Sequence, residues 1–129
     1  MKLYVALVGI ATCLNLVSCA QRPIDGPAVT RAQSQAIEEV RLAYEAGRYA
    51  EVAQRVGLSV DLQTAPPALH LEALKLQAFS YCLLNDTGRC KQSFNRLLNR
   101  YPTFDLAAAE RQHPMWGPVF QQAKVDAGK

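Results

Sequence analysis

Histidine is nearly absent from this chain: among its 129 residues only His70 and His113 are histidines. They fall in different segments, with no carboxylate at ligand spacing from either. A zinc centre or an acid–base site needs three or more convergent groups, so the pattern assigns no catalytic residue, no metal ligand and no cofactor. There is no glycine-rich phosphate loop, no C-x-x-C pair, and no Ser or Cys with a visible activating partner. Asp105 and Glu110, near His113, are the one place where acid–base residues gather, and His113, followed by Pro114, reads as a turn residue. A net charge of +3 comes without any run of four or more basic residues; a nucleic-acid footprint needs such a cluster. Nothing marks a small-molecule substrate. A membrane-length apolar run is lacking too. The stretch from Leu3 to Val17 falls short of the roughly 20 residues of a span and is interrupted by Thr12 and Asn15.

What the N-terminus does have is an ordered sequence of signals. Met1-Lys2 gives a charged start, Leu3, Val5, Leu7, Val8, Ile10, Leu14 and Leu16 an apolar core, and Leu16-Val17-Ser18-Cys19 a small-residue processing site. These four residues resemble the lipobox of bacterial lipoproteins. The resemblance implies that residues 1–18 are a signal peptide removed in processing. Cys19 is then the first mature residue, diacylated on its sulfur and acylated on its new amino group. Two or more acyl chains hold a protein stably at a membrane, where one does so only marginally. Ala20 and Gln21 follow the cysteine where an inner-membrane lipoprotein has Asp, so the resemblance implies the outer membrane, facing the periplasm. The alternative is a retained span over residues 3–17 with Cys19 incidental; Gln21-Arg22-Pro23 ends the apolar stretch abruptly and counts against it.

Residues 19–31 contain Pro23, Gly26 and Pro27, show no periodicity, and read as a flexible tether. The domain, residues 32–129, reads as all-α. Ala36, Ile37, Val40, Ala43, Tyr44 and Gly47 recur at threes and fours, with Gly47 suited to a helix end. A second helix is expected from Tyr49 to Leu58, then a linker from Ser59 to Pro67. A third helix over 68–84 is apolar well beyond one stripe and should be packed on two sides. A turn at 85–88 precedes a fourth helix over 89–101, capped by Asp86 or Thr87, and Val119–Val125 is a candidate last helix.

The second hairpin resembles a tetratricopeptide repeat. Ala78, Tyr81, Cys90, Phe94 and Pro102 stand at the spacings of that family's small, aromatic, small, aromatic and proline positions. Leu74 stands where the family often has Trp, and Gln77 departs, since a large apolar residue is usual there. The first hairpin matches less well: Gly47 and Tyr49 take the loop positions, but Val52 replaces a small residue. The matched positions are offset by 38 residues, against about 34 for the family. The resemblance implies two antiparallel helical hairpins with a C-terminal cap from about residue 103, for which Met115, Trp116 and Phe120 have the right chemistry.

Cys82 and Cys90 flank a turn near residue 86, which brings them roughly opposite in a compartment that permits disulfides; two buried thiols are the other reading. Glu38 and Arg41, and Glu45 and Arg48, are three apart and give weak helix support. Candidate partner-binding residues are Tyr44, Arg96, Arg100 and Trp116. The function expected is a lipid-anchored, non-enzymatic adaptor that helps assemble or place an envelope protein complex. A secretion system, a pilus and an outer-membrane machine all fit, a type VI secretion accessory lipoprotein among them. The alternative is a cell-wall hydrolase using His113, or a wall-binding accessory factor. Metabolic labelling with palmitate should mark the wild-type chain and leave Cys19→Ala unmarked; equal labelling of both would remove the anchor.

Overall fold

The computed structural model describes residues 27–128; the expected signal peptide, Cys19 and most of the expected tether lie outside the described residues. The described chain is helical, with seven helices and no strand: α1 (Arg31–Glu45), α2 (Tyr49–Leu58), α3 (Val60–Gln63), α4 (Pro67–Leu83), α5 (Thr87–Arg100), α6 (Ala108–Arg111) and α7 (Gly117–Asp126). Five of these match the expected helices to within two residues at each end. Two short ones were not expected. Within the expected linker, α3 forms because the Ser59 hydroxyl accepts from the Leu62 N–H (3.2 Å) and Leu62 is fully buried; one helical turn is too short to show a period. The N–H of Ala107 donates to the Glu110 carboxylate (3.0 Å) at the start of α6.

Helix ends follow from local chemistry. At α1 the Gln33 N–H donates to the Thr30 hydroxyl (3.1 Å) and the Thr30 N–H to the Gln33 side-chain oxygen (3.0 Å), a reciprocal capping box. Helix α1 closes with Gly47 at φ +73°, the Gly47 N–H donating to Tyr44 O and the Arg48 N–H to Ala43 O. This is a Schellman ending, where a left-handed residue satisfies orphan carbonyls. Helix α4 repeats it 38 positions later: Asn85 at φ +59°, its N–H donating to Cys82 O, and the Asp86 N–H to Tyr81 O. Asp86 then caps α5 by accepting from the Arg89 N–H (2.9 Å). Asn serves in place of Gly because it tolerates the left-handed region. The left-handed break at Gly47 also separates Glu45 from Arg48, so the expected pair does not form; Arg48 pairs forward with Glu51 (2.7 Å), while Glu38–Arg41 is present (3.3 Å).

The helices stack in chain order. Helix α1 pairs with α2, both lean on α4, α4 pairs with α5, and α5 carries α7. One core gathers Ile37, Val40, Val52, Val56 and Leu62 with Ala73; a second gathers Phe79, Phe94, Leu98, Leu106, Trp116 and Phe120. Helix α4 contributes to both, and Tyr44 packs against both. The departure at Gln77 is explained here. It is buried, and its amide donates to the Ala53 carbonyl (3.0 Å), tying α4 to α2. Arg41 reaches across from α1 with two bonds of 2.7 Å to the Glu72 carboxylate on α4.

The segment after α5 closes the second core. Trp116 is only 8% exposed, its ring stacked on Phe79 at 4.0 Å, and its indole N–H donates to Glu110 O (2.8 Å). This corrects the expectation of Trp116 as a partner-binding residue: an indole with both its apolar face and its N–H already satisfied belongs to the core. The turn holding it needs Gly117, where a Cβ would collide with the Arg111 carbonyl. Replacing Trp116 by Ala should lower stability by about 3–5 kcal/mol, seen as a drop in the thermal midpoint by circular dichroism; an unchanged midpoint would place the ring outside the core.

Candidate functional site: the two ends of the helical stack

The hairpin arrangement gives the stack two unlike ends. The turns at Gly47 and Asn85 mark one. The other, the base, holds the N-termini of α1 and α4, the C-termini of α2 and α5, and α3. Three contacts tie the base together. The Gln33 amide donates to Thr64 O (3.2 Å), the Gln63 amide donates to Val56 O (2.8 Å), and His70 Nδ1 lies 2.7 Å from the Tyr101 hydroxyl. Burial, and then the Arg100 charge, push the His70 pKa below its usual value.

The residues singled out for repeat packing separate into two groups. Ala78, Cys90 and Phe94 are fully buried, and Tyr81 is half-buried with the Arg89 guanidinium 5.6 Å from its ring centre. Pro102 is exposed. It does not pack; α5 has already ended at Arg100, and the proline follows the Tyr101 cap. Cys82 and Cys90 are brought to disulfide-bonding distance, with Cα atoms 5.0 Å apart. The corresponding positions in the first hairpin, 38 residues earlier, are Tyr44 and Val52, and Tyr44 packs against the core that contains Val52.

Of the partner-binding candidates, Tyr44 is half-buried between the two cores and edge-on to Tyr49 at 5.5 Å, and its phenol is pushed up to about 12, chiefly by burial. It is a joint of the fold rather than a contact surface. Arg96 and Arg100 are exposed, and neither has an ion-pair partner among the described residues; Arg100 lies 5.3 Å from the Tyr101 ring centre.

His113, Asp105 and Glu110 do not converge. The His113 ring stacks on Trp116 at 3.4 Å, and its Nδ1 accepts from the Met115 N–H (3.2 Å). Asp105 pairs with Arg111 (3.2 Å) and Lys124 (3.3 Å), and Glu110 with Lys75 (2.6 Å). Each side chain is engaged elsewhere. Among the described residues no group of three or more His, Cys, Asp or Glu could hold a metal ion, and no helix is long and apolar enough to cross a membrane.

A groove of about 350 Å³ between α1, α2 and α3 escaped the sequence reading. Ala36, Leu58 and Leu62 form its apolar wall, and Glu39 and Arg55, paired at 2.7 Å, its rim. Beside it Leu58 and Val60 are 75% and 74% exposed. The available signal was Leu58 at the end of the expected second helix, followed by Val60 and Leu62 in a segment otherwise reading as a linker. At the turn end Leu42, Leu84 and Val125 are exposed, Val125 lying next to Asp126, which pairs with Lys91 of α5 (2.7 Å).

Comparison with family models, with curated proteins and with solved structures finds no match.

Alkylation of the non-reduced protein should leave both Cys82 and Cys90 unmodified, and reduction should cost roughly 2–3 kcal/mol of stability in the loop-entropy account. Two thiols that react without reductant would refute the bond.

Proposed function

We propose that this chain is a lipid-anchored periplasmic adaptor whose helical hairpins bind a protein partner and support the assembly or placement of an envelope complex. The observation that carries the reading is the lipobox-like Leu16–Cys19 standing ahead of a duplicated helical hairpin. The finer reading of the hairpins as tetratricopeptide-like is supported by full burial at Ala78, Cys90 and Phe94 and by the stacking order α1, α2, α4, α5, α7. It is further supported by the same Schellman ending at Gly47 and Asn85. The described residues carry two hairpins where such arrays need about three. The Trp116 segment covers the open face of the second, and Cys82 and Cys90 stand at disulfide-bonding distance between its helices.

Stacked helical hairpins present side chains on a fixed scaffold, and partner peptides or helices are held through a few apolar anchors with a polar surround. Leu42, Leu84 and Val125 at the turn end supply anchors, set among the charged residues Glu45, Arg48, Arg89 and Asp126. The secretion-system, pilus and outer-membrane-machine alternatives share this chemistry, and the reading is the adaptor common to them.

Crosslinked capture from membranes at native expression should recover a discrete protein complex. The double substitution Leu84→Asp, Val125→Asp, at exposed positions, should lose it while leaving the helical circular dichroism intact. Recovery of the monomer alone from wild-type membranes would refute the adaptor.

A further inference from the structure

We infer that the base of the stack is a membrane-seating face: Val29, Leu58 and Val60 dip into the interfacial region of an anionic phospholipid surface, while Arg31, Arg96 and Arg100 meet its phosphates. The inference rests on the lipid-anchor reading of Cys19 and adds to it an orientation for the folded domain.

Three independent observations converge on that end. The first is apolar exposure. Leu58 and Val60 are the two most exposed large apolar residues of the described chain, and Val29, at 46%, precedes the α1 cap on the same end. Side chains of this size in water are ordinary when scattered; grouped beside an apolar-walled groove they mark a contact surface. The second is charge. Arg31, Arg96 and Arg100 have no ion-pair partner among the described residues, whereas Arg41, Arg48, Arg55, Arg89 and Arg111 are all paired. Arg31 is placed against its own helix: it occupies the first position of α1, where the helix dipole disfavours a cation, and the first turn has no acidic residue to offset it. Nothing within the fold rewards that placement, whereas a phosphate outside the fold does. Asp61 on α3 is the exposed carboxylate at this end and leaves the balance positive.

The third observation is where the chain leaves the domain. It does so at Thr30, on the base, and Val29 stands ten positions after Cys19. Ten residues reach at most about 35 Å at full extension, so the anchor holds the base within that distance of the bilayer. Tethering of this kind raises the effective concentration of the second contact to roughly millimolar. A face too weak to bind vesicles unaided is then occupied. Basic residues beside an acyl anchor act with it as a second signal.

The test uses the full chain, processed with its own signal, purified from membranes and reconstituted into phosphatidylcholine vesicles with or without phosphatidylglycerol. A fluorophore is placed through Ala32→Cys at the base or Gly88→Cys at the turn end, both exposed, with the unsubstituted chain as the labelling blank. Nitroxide-headgroup lipids should quench the probe at position 32 and spare the one at 88, and the difference should grow with phosphatidylglycerol and shrink with salt. Leu58→Asp with Val60→Asp, and separately Arg96→Glu with Arg100→Glu, should each bring quenching at 32 down to the level at 88. All four positions are solvent-facing, and unchanged circular dichroism confirms the fold. Equal quenching at 32 and 88 in a protein that carries diacylglycerol on Cys19 and floats with the vesicles overturns the seating face and leaves the anchor standing. A mass spectrum showing an unmodified Cys19 overturns the anchor, and the inference with it. Loss of protein capture in Leu58→Asp with Val60→Asp, without any difference in quenching, assigns the face to a protein partner and overturns the lipid reading.

Discussion

Helix α4 is the element on which everything else rests. Its buried residues Ala73, Leu74, Gln77, Ala78, Phe79, Ser80 and Cys82 point in several directions, so it cannot be satisfied by one neighbour. Helices α1 and α2 take one side, and α5 with the Trp116 segment takes the other. A helix apolar around most of its circumference is stable only as the middle of something, and that requirement converts two helical pairs into one stack. Gln77 fixes the register at this centre, since its buried amide reaches the Ala53 carbonyl only in one relative placement of α2 and α4.

The polar contacts are arranged around that middle. Arg41 to Glu72 and Lys75 to Glu110 run from α4 outward to α1 and α6, and Arg41 holds the Glu72 carboxyl below its usual range. These pairs are partly solvated and contribute modestly, on the order of 1 kcal/mol or less each. They orient elements that apolar packing has already brought together.

Much of this was legible in the residues. The five longer helices follow from apolar periodicity and from Gly47, Asp86 and Pro67 as punctuation. The 38-residue offset follows from comparing Ala78, Tyr81, Cys90 and Phe94 with the first hairpin, and it returns as the repeat of one turn geometry. What was not legible depends on distance in space. Trp116 and Tyr44 look alike as candidates for a surface, because aromatic residues serve cores and interfaces equally well; only packing places Trp116 between Phe79 and His113. Pro102 fits a motif spacing, yet α5 ends before it. The short helix α3 offers a single turn, so no period betrays it, and with it went Val60 and the groove beside it. The exposed arginines Arg96 and Arg100 stand four apart on α5, but their want of a partner among the described residues is visible only once the carboxylates around them have been placed.

The Thr30–Gln33 cap has a mechanical side. Any pull on the N-terminal segment reaches the folded domain at Thr30, where a free helix end would peel one turn at a time. Here the load passes through reciprocal bonds between Thr30 and Gln33 and, by the second hydrogen-bonding arm of Gln33, onto the Thr64 carbonyl beside α4. Tension is thereby shared between α1 and the close of α3, so that peeling the first turn of α1 breaks the Thr30–Gln33 pair and the Gln33–Thr64 bond together.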